Sequence, residues 1–120
     1  MSEASPLQFD PVALAELRAL DPDGRQGLIR RLGEAWERTL KRQLPELDAA
    51  LAAGPDLARV ARVAHTLKSS CASLAALHLA AQWQTIEQQI KEGRREGIED
   101  RVAQVRAELG SLRDALRAIE

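Results

Sequence analysis

Apolar residues return every three or four positions along most of this 120-residue chain, the period of one face of an α-helix. Leu28, Leu32, Trp36, Leu40, Leu44, Leu47 and Leu51 mark a long helix over about 25–53. Leu57, Val60, Ala64, Leu67, Cys71 and Leu74 mark a second over about 56–74, with the alternating spacing of a packed seam. Leu79, Trp83, Ile86 and Ile90 predict a third over about 76–92, and Val102, Val105, Leu109, Leu112, Leu116 and Ile119 a fourth over about 98–119. A short helix comes before them. Asp10 suits its N-cap, Pro11 its first turn, and Val12, Leu14, Leu17 and Leu20 its apolar face. The DPDG run at 21–24 and the Gly54–Pro55 pair are stop signals. Pro45 removes one hydrogen bond from the first long helix, and the stripe continuing on both sides predicts one bent rod.

Four long stripes with short connections predict an all-α fold, an antiparallel four-helix bundle with a short N-terminal capping helix. Residues 1–8 read as a flexible tail and 9–120 as a single domain, the chain being too short for a second core. Composition agrees: aromatic residues make up 2%, and Ala, Leu, Arg, Glu and Gln, all good helix formers, dominate.

Charge removes several functions. Lys plus Arg total 17 and Asp plus Glu 18, so a net charge of -1 offers no field to gather nucleic acid or an anionic membrane. No apolar run approaches the roughly 20 residues of a membrane span. The N-terminus lacks a signal-peptide pattern and the single cysteine cannot form an internal disulfide, so the expected compartment is the cytoplasm.

The candidate chemistry sits in AHTLKSSC, residues 64–71. At about 100° per residue, Val63, Leu67 and Leu74 lie within about 20° of the direction opposite His65, so burying the seam points the imidazole at solvent. Ala58, Ala61, Ser69 and Ala72 fall on the same face at offsets of -7, -4, +4 and +7. A solvated helix face usually carries long Glu, Lys or Gln side chains, so this small-residue strip implies that another surface comes close. Between Asp56 and Glu87 there is no acidic residue, while Arg59, Arg62 and Lys68 lie inside that gap. Arg62 and Lys68, three residues either side of His65, are expected to bracket the ring within reach of an anion carried on it.

Residues 64–76, AHTLKSSCASLAA, resemble the phosphoacceptor segment of histidine-containing phosphotransfer (HPt) domains, whose pattern is close to A-H-x-L-K-G-S-S-x-x-L-G-A. The flanking LDAALAAGPDLARVARVAHTLK and LHLAAQWQTIEQQIKEG are similar to that family as well. The resemblance implies that His65 accepts a phosphoryl group from a receiver-domain aspartyl phosphate and passes it to another receiver aspartate. It implies that Lys68 neutralises the phosphoryl oxygens, that Ser69 donates a hydrogen bond or leaves room, and that Ala58, Ala61, Arg62 and Ala72 dock the partner. Mg²⁺ is expected on the receiver, with no cofactor or metal of the chain's own, no nucleic acid or membrane partner, and a monomer. Ser69, Cys71 and Ala75 depart from the family pattern, where glycine, serine and glycine are usual; Ala75 is expected to make the turn less sharp.

Other singled-out residues read as structural. Cys71, Trp36 and Trp83 fall on seam positions and His78 on the surface, while Gln82 is a candidate to reach the His65 region across the bundle. Among rival functions, a di-metal bundle enzyme needs Glu-x-x-His pairs, but Arg62 and Ala75 stand three residues before the two histidines. A sensor-kinase dimerisation domain is expected to carry an acid directly after its histidine, where this chain has Thr66, and no Gly-rich ATP module is present. An adaptor bundle that binds receivers or another protein without carrying phosphate remains the alternative.

Overall fold

A computed structural model describes residues 8–52 and 54–119, so the tail expected over 1–8 falls, for residues 1–7, outside the described residues. Six helices occur among them: α1 (Pro11–Arg18), α2 (Leu28–Ala52), α3 (Leu57–Ser73), α4 (Leu77–Lys91), α5 (Ile98–Ala107) and α6 (Leu109–Ala118). The all-α expectation holds, since the described residues contain no strand. Helix α3 packs against α4 and α2, α4 against α5, and α6 returns to α2, which closes a ring of contacts. Trp36, Leu47, Leu67, Trp83, Ile86, Leu112 and Leu116 fill the middle, almost fully buried, each contributing about 1.5–3 kcal/mol relative to exposure. Both tryptophans thus lie in the core as the seam positions imply, although neither indole N–H finds an acceptor among the described residues. Cys71 is also buried there, and desolvation pushes its thiol up to about 12, which suits small core filling.

The ends of the elements show where local chemistry modified the periodic reading. The Asp10 carboxylate accepts from the Ala13 backbone N–H at 2.9 Å and caps α1 as predicted. The inward face of α1 is different from the expected one, because Ala13 and Leu14 pack on the core while Val12 and Leu20 are both 68% exposed. Phe9 is buried and the Asp10 N–H donates to the Ala75 carbonyl at 2.8 Å, an anchor that sets the rotation of α1; Leu20 lies beyond its end. Helix α2 begins at Leu28, later than predicted, since Gly24 and Gly27 adopt φ +71° and +63° in the preceding loop. That loop is held by buried Asp21, which accepts from Gln26 N–H at 3.1 Å and Leu28 N–H at 3.0 Å. Helix α2 runs through Pro45 unbroken, with the ring on the exposed side, where water can take the freed carbonyl.

The expected last helix is divided in two at Glu108, whose N–H donates to Val105 only three residues back at 3.0 Å. This is a tightened turn of 3₁₀ type, next to Gly110, a weak helix former, and the apolar stripe of Val102, Val105, Leu109, Leu112 and Leu116 passes through it.

The turn from α3 to α4 also corrects an expectation. Ala75 makes it no less sharp: the residue takes the left-handed conformation at φ +64° that glycine normally supplies. Ala76 N–H reaches back to the Cys71 carbonyl at 2.9 Å and Ala75 N–H to Ala72 at 3.1 Å, the paired bonds of a Schellman cap. The cap sets α4 directly alongside α3.

Candidate functional site

Buried polar groups need partners, and where those partners come from separates structural from functional ones. Three polar side chains are buried among the described residues: Asp21, Glu87 and Gln89. Asp21 serves backbone N–H groups of the α1–α2 loop, and Gln89 Nε2 donates to the carbonyls of Arg94 and Glu96 at 3.2 and 3.0 Å, pinning the α4–α5 loop. Glu87 is different. Among the described residues its carboxylate meets only side chains: hydrogen bonds join Oε2 to His65 Nδ1 at 3.0 Å and Oε1 to Lys68 Nζ at 3.3 Å, and Lys91 Nζ forms an ion pair with Oε2 at 3.6 Å.

The site is built by two adjacent helices. The α3 seam of Val60, Val63, Ala64, Leu67 and Cys71 is buried, so His65 must emerge, and its side chain is 60% exposed. Glu87 follows Ile86 on α4 and lies four residues after Trp83, both of which are buried. That register keeps the Glu87 carboxylate low against α3. Burial pushes its carboxyl up, but the hydrogen bond and charge of Lys68, and then those of His65, outweigh this and hold it below the usual carboxylate range. It is therefore ionised near neutrality and can only accept, so a neutral His65 presents Nδ1–H to it. The lone pair is left on Nε2, to which no described residue bonds.

The sequence-predicted residues divide around this pair. Lys68 is half-buried and joins the cluster through Glu87. Ser69 is exposed, and its carbonyl accepts from Ser73 Oγ at 3.1 Å. Ala58 and Ala72 are exposed and Ala61 half-buried, which leaves the strip flanking His65 low. Arg62 is exposed but lies toward α2: its charge helps hold down the carboxyl of Glu46, after the Arg59 hydrogen bond at 2.9 Å that dominates there. Beside the cations expected from α3, α4 supplies a carboxylate that the local sequence of α3 does not contain, together with a second ammonium from Lys91. Gln82 is not a partner of His65. It sits five residues before Glu87, about 140° away around α4, and its Nε2 lies 3.4 Å from the Nε2 of exposed His78 on the preceding turn.

Glu87 and Lys91 are the site residues that reading the helices separately misses. Glu87 closes the long stretch without acids and falls in phase with Trp83 and Ile90, a charge within an apolar stripe. That phase is its signal. Cavities of about 320, 290 and 270 Å³ lie elsewhere, and His65, Lys68 and Glu87 line none of them. Among the described residues, no three His, Cys, Asp or Glu side chains stand together as metal ligands, and no helix is long and apolar enough to cross a membrane. The arrangement is an exposed imidazole held at Nδ1 by a buried carboxylate that two ammonium groups also meet.

The Hpt domain family matches residues 31–115, a span that includes α3, α4 and the whole cluster. The chain belongs to the Hpt domain family. Neither the comparison with curated proteins nor that with solved structures gave a match. Membership makes this Hpt domain a histidine phosphotransfer module of two-component signalling, a class that works with receiver domains and has no kinase activity of its own.

Proposed function

We propose that His65 is the phosphoacceptor and that the domain relays a phosphoryl group between receiver aspartates. The observation that carries this reading is the exposed His65 ring tied at Nδ1 to buried Glu87, which frees Nε2. In the forward step the Nε2 lone pair attacks the phosphorus of an aspartyl phosphate. The P–O bond of the acyl phosphate breaks and the receiver carboxylate leaves with its electron pair. The ring, now cationic, keeps its proton on Nδ1, where Glu87 stabilises the charge. Delivery to a second receiver is the reverse attack by its aspartate, with the imidazole as leaving group.

Lys68, one turn along α3, neutralises the phosphoryl oxygens, and Ser69 leaves room or donates to them. Ala58, Ala61 and Ala72 let the partner approach, with Arg62 at the edge of the contact. Mg²⁺ and the acidic pocket are the receiver's contribution. With α5 and α6 counted as one arm, the proposed scaffold is an antiparallel four-helix bundle capped by α1 that acts as a monomer.

The test is incubation of the protein and of its His65→Gln variant with a panel of phosphorylated receivers. Acid-labile label on the wild type alone is expected. Label on both proteins, or equal receiver binding with label on neither, refutes the relay.

A further inference from the structure

Glu87 collects more positive charge than one carboxylate requires. Lys68 Nζ stands 3.3 Å from Oε1 and Lys91 Nζ 3.6 Å from Oε2, the oxygen that also faces His65 Nδ1. The two lysines are attached differently. Lys68 rises from α3 on the same helix as His65, three residues on, with its side chain 27% exposed. Lys91 rises from the last residue of α4, one turn beyond Glu87, and is 65% exposed. Before an anion arrives, a single negative charge is therefore shared by two ammonium groups.

A phosphoryl group at Nε2 changes the balance. It brings an anion to the outer edge of the ring, where Lys68 is the nearer helical neighbour. Without Lys91, Lys68 would be the only ammonium on Glu87 and would be held there more tightly, because a buried carboxylate that faces the ring alone is less well compensated. Resting on His65 as the acceptor, we propose that Lys91 is a positioning residue that keeps Glu87 neutralised and aimed at Nδ1 while Lys68 moves to the phosphoryl oxygens. Lys91 acts through Glu87 and does not touch the transferred group. Arg62, the other cation on this stretch of α3, is not among the ion-pair partners of Glu87 and acts on the carboxyl of Glu46.

Potassium phosphoramidate, a small donor that needs no docking surface, isolates this effect from partner binding. The rate of phosphohistidine formation on the full chain is followed by ³¹P NMR in the wild type, Lys91→Met, Lys91→Arg, Glu87→Gln and the Lys91→Met/Glu87→Gln double variant. Lys91→Met is expected to slow formation about three-fold, a change of about half a decade. Lys91→Arg is expected to restore most of the rate. In the Glu87→Gln background the Lys91 substitution should have no effect, since no carboxylate then holds Lys68 back. Thermal melts should be unchanged by either Lys91 variant, the residue being exposed. An equal loss in both backgrounds means that Lys91 acts directly on the anion and overturns the proposal, as does a Lys91→Met rate equal to wild type. A wild type that forms no phosphohistidine at His65 overturns the acceptor assignment itself, and this inference with it.

Discussion

Replacing Glu87 tests whether a buried carboxylate orients the reactive ring. The bond from His65 Nδ1 to Glu87 Oε2 is 3.0 Å long and charge-assisted, a class that contributes about 1.5–3 kcal/mol when shielded. The His65 side chain is 60% exposed, so solvent screening brings the value down to about 1 kcal/mol. If that stabilisation develops fully as the ring becomes cationic, Glu87→Ala slows phosphotransfer about five-fold. Glu87→Gln keeps an acceptor without the charge and should lie between, about two- to three-fold slow. Folding stability moves less: the ion pairs to partly exposed Lys68 and Lys91 are each below about 1 kcal/mol, and removing the carboxylate also removes its desolvation cost. Single-turnover transfer from a phosphorylated receiver gives the rate, ¹⁵N shifts of the His65 ring give the tautomer, and urea unfolding gives stability. The wild-type ring should carry its proton on Nδ1, and Glu87→Ala should move population to the Nε2–H form. A Glu87→Ala protein with wild-type tautomer and rate refutes the orienting role; so does a loss of rate that only mirrors a loss of folded protein.

Further expectations concern stability. The Glu87 carboxyl is held below its unfolded value of about 4.3, so its contribution is fully present above that value and is lost as pH falls through the lower folded one. Urea midpoints measured between about pH 3 and 6 should therefore fall less steeply toward acid in Glu87→Gln than in the wild type. At Ala75, relief of left-handed strain in Ala75→Gly, about 1–2 kcal/mol, is offset by extra unfolded-state entropy and one lost buried methyl, which leaves stability within about 1 kcal/mol of wild type. Ala76→Gly, at a buried residue with φ -89°, has no strain to relieve and should cost about 1–2 kcal/mol by the same denaturation assay. Cys71, its thiol pushed up to about 12 by burial, should react with a disulfide reagent at neutral pH only after denaturant is added, and rapid labelling of the native protein would contradict its place in the core.

The helices were legible because their cores obey one period: Val60, Leu67 and Cys71 on α3 and Trp83 and Ile86 on α4 are buried as their spacing requires. The exposure of His65 was legible for the same reason, since burying one side of a helix fixes the other. Features that depend on contact between elements were not. The rotation of α1 follows from the Asp10 N–H bond to Ala75, 65 positions away, and no pattern within residues 10–20 contains it. The left-handed Ala75 carries no glycine to announce it; the bonds back to Cys71 and Ala72, together with the packing of α4, hold a conformation that alanine disfavours alone. Glu87 is the most instructive case. Read along α4, Glu87 is a charge out of place in an apolar stripe with no partner in view, and read along α3, His65 has only cations for neighbours. Only the pairing of the helices brings the two descriptions together, and it reverses the sign of the charge closest to the ring. A charged residue in phase with an apolar stripe breaks the local rule, and the other buried polar side chains among the described residues serve loop backbone, whereas Glu87 serves the side chain of an exposed histidine. It keeps one nitrogen occupied so that the other is free.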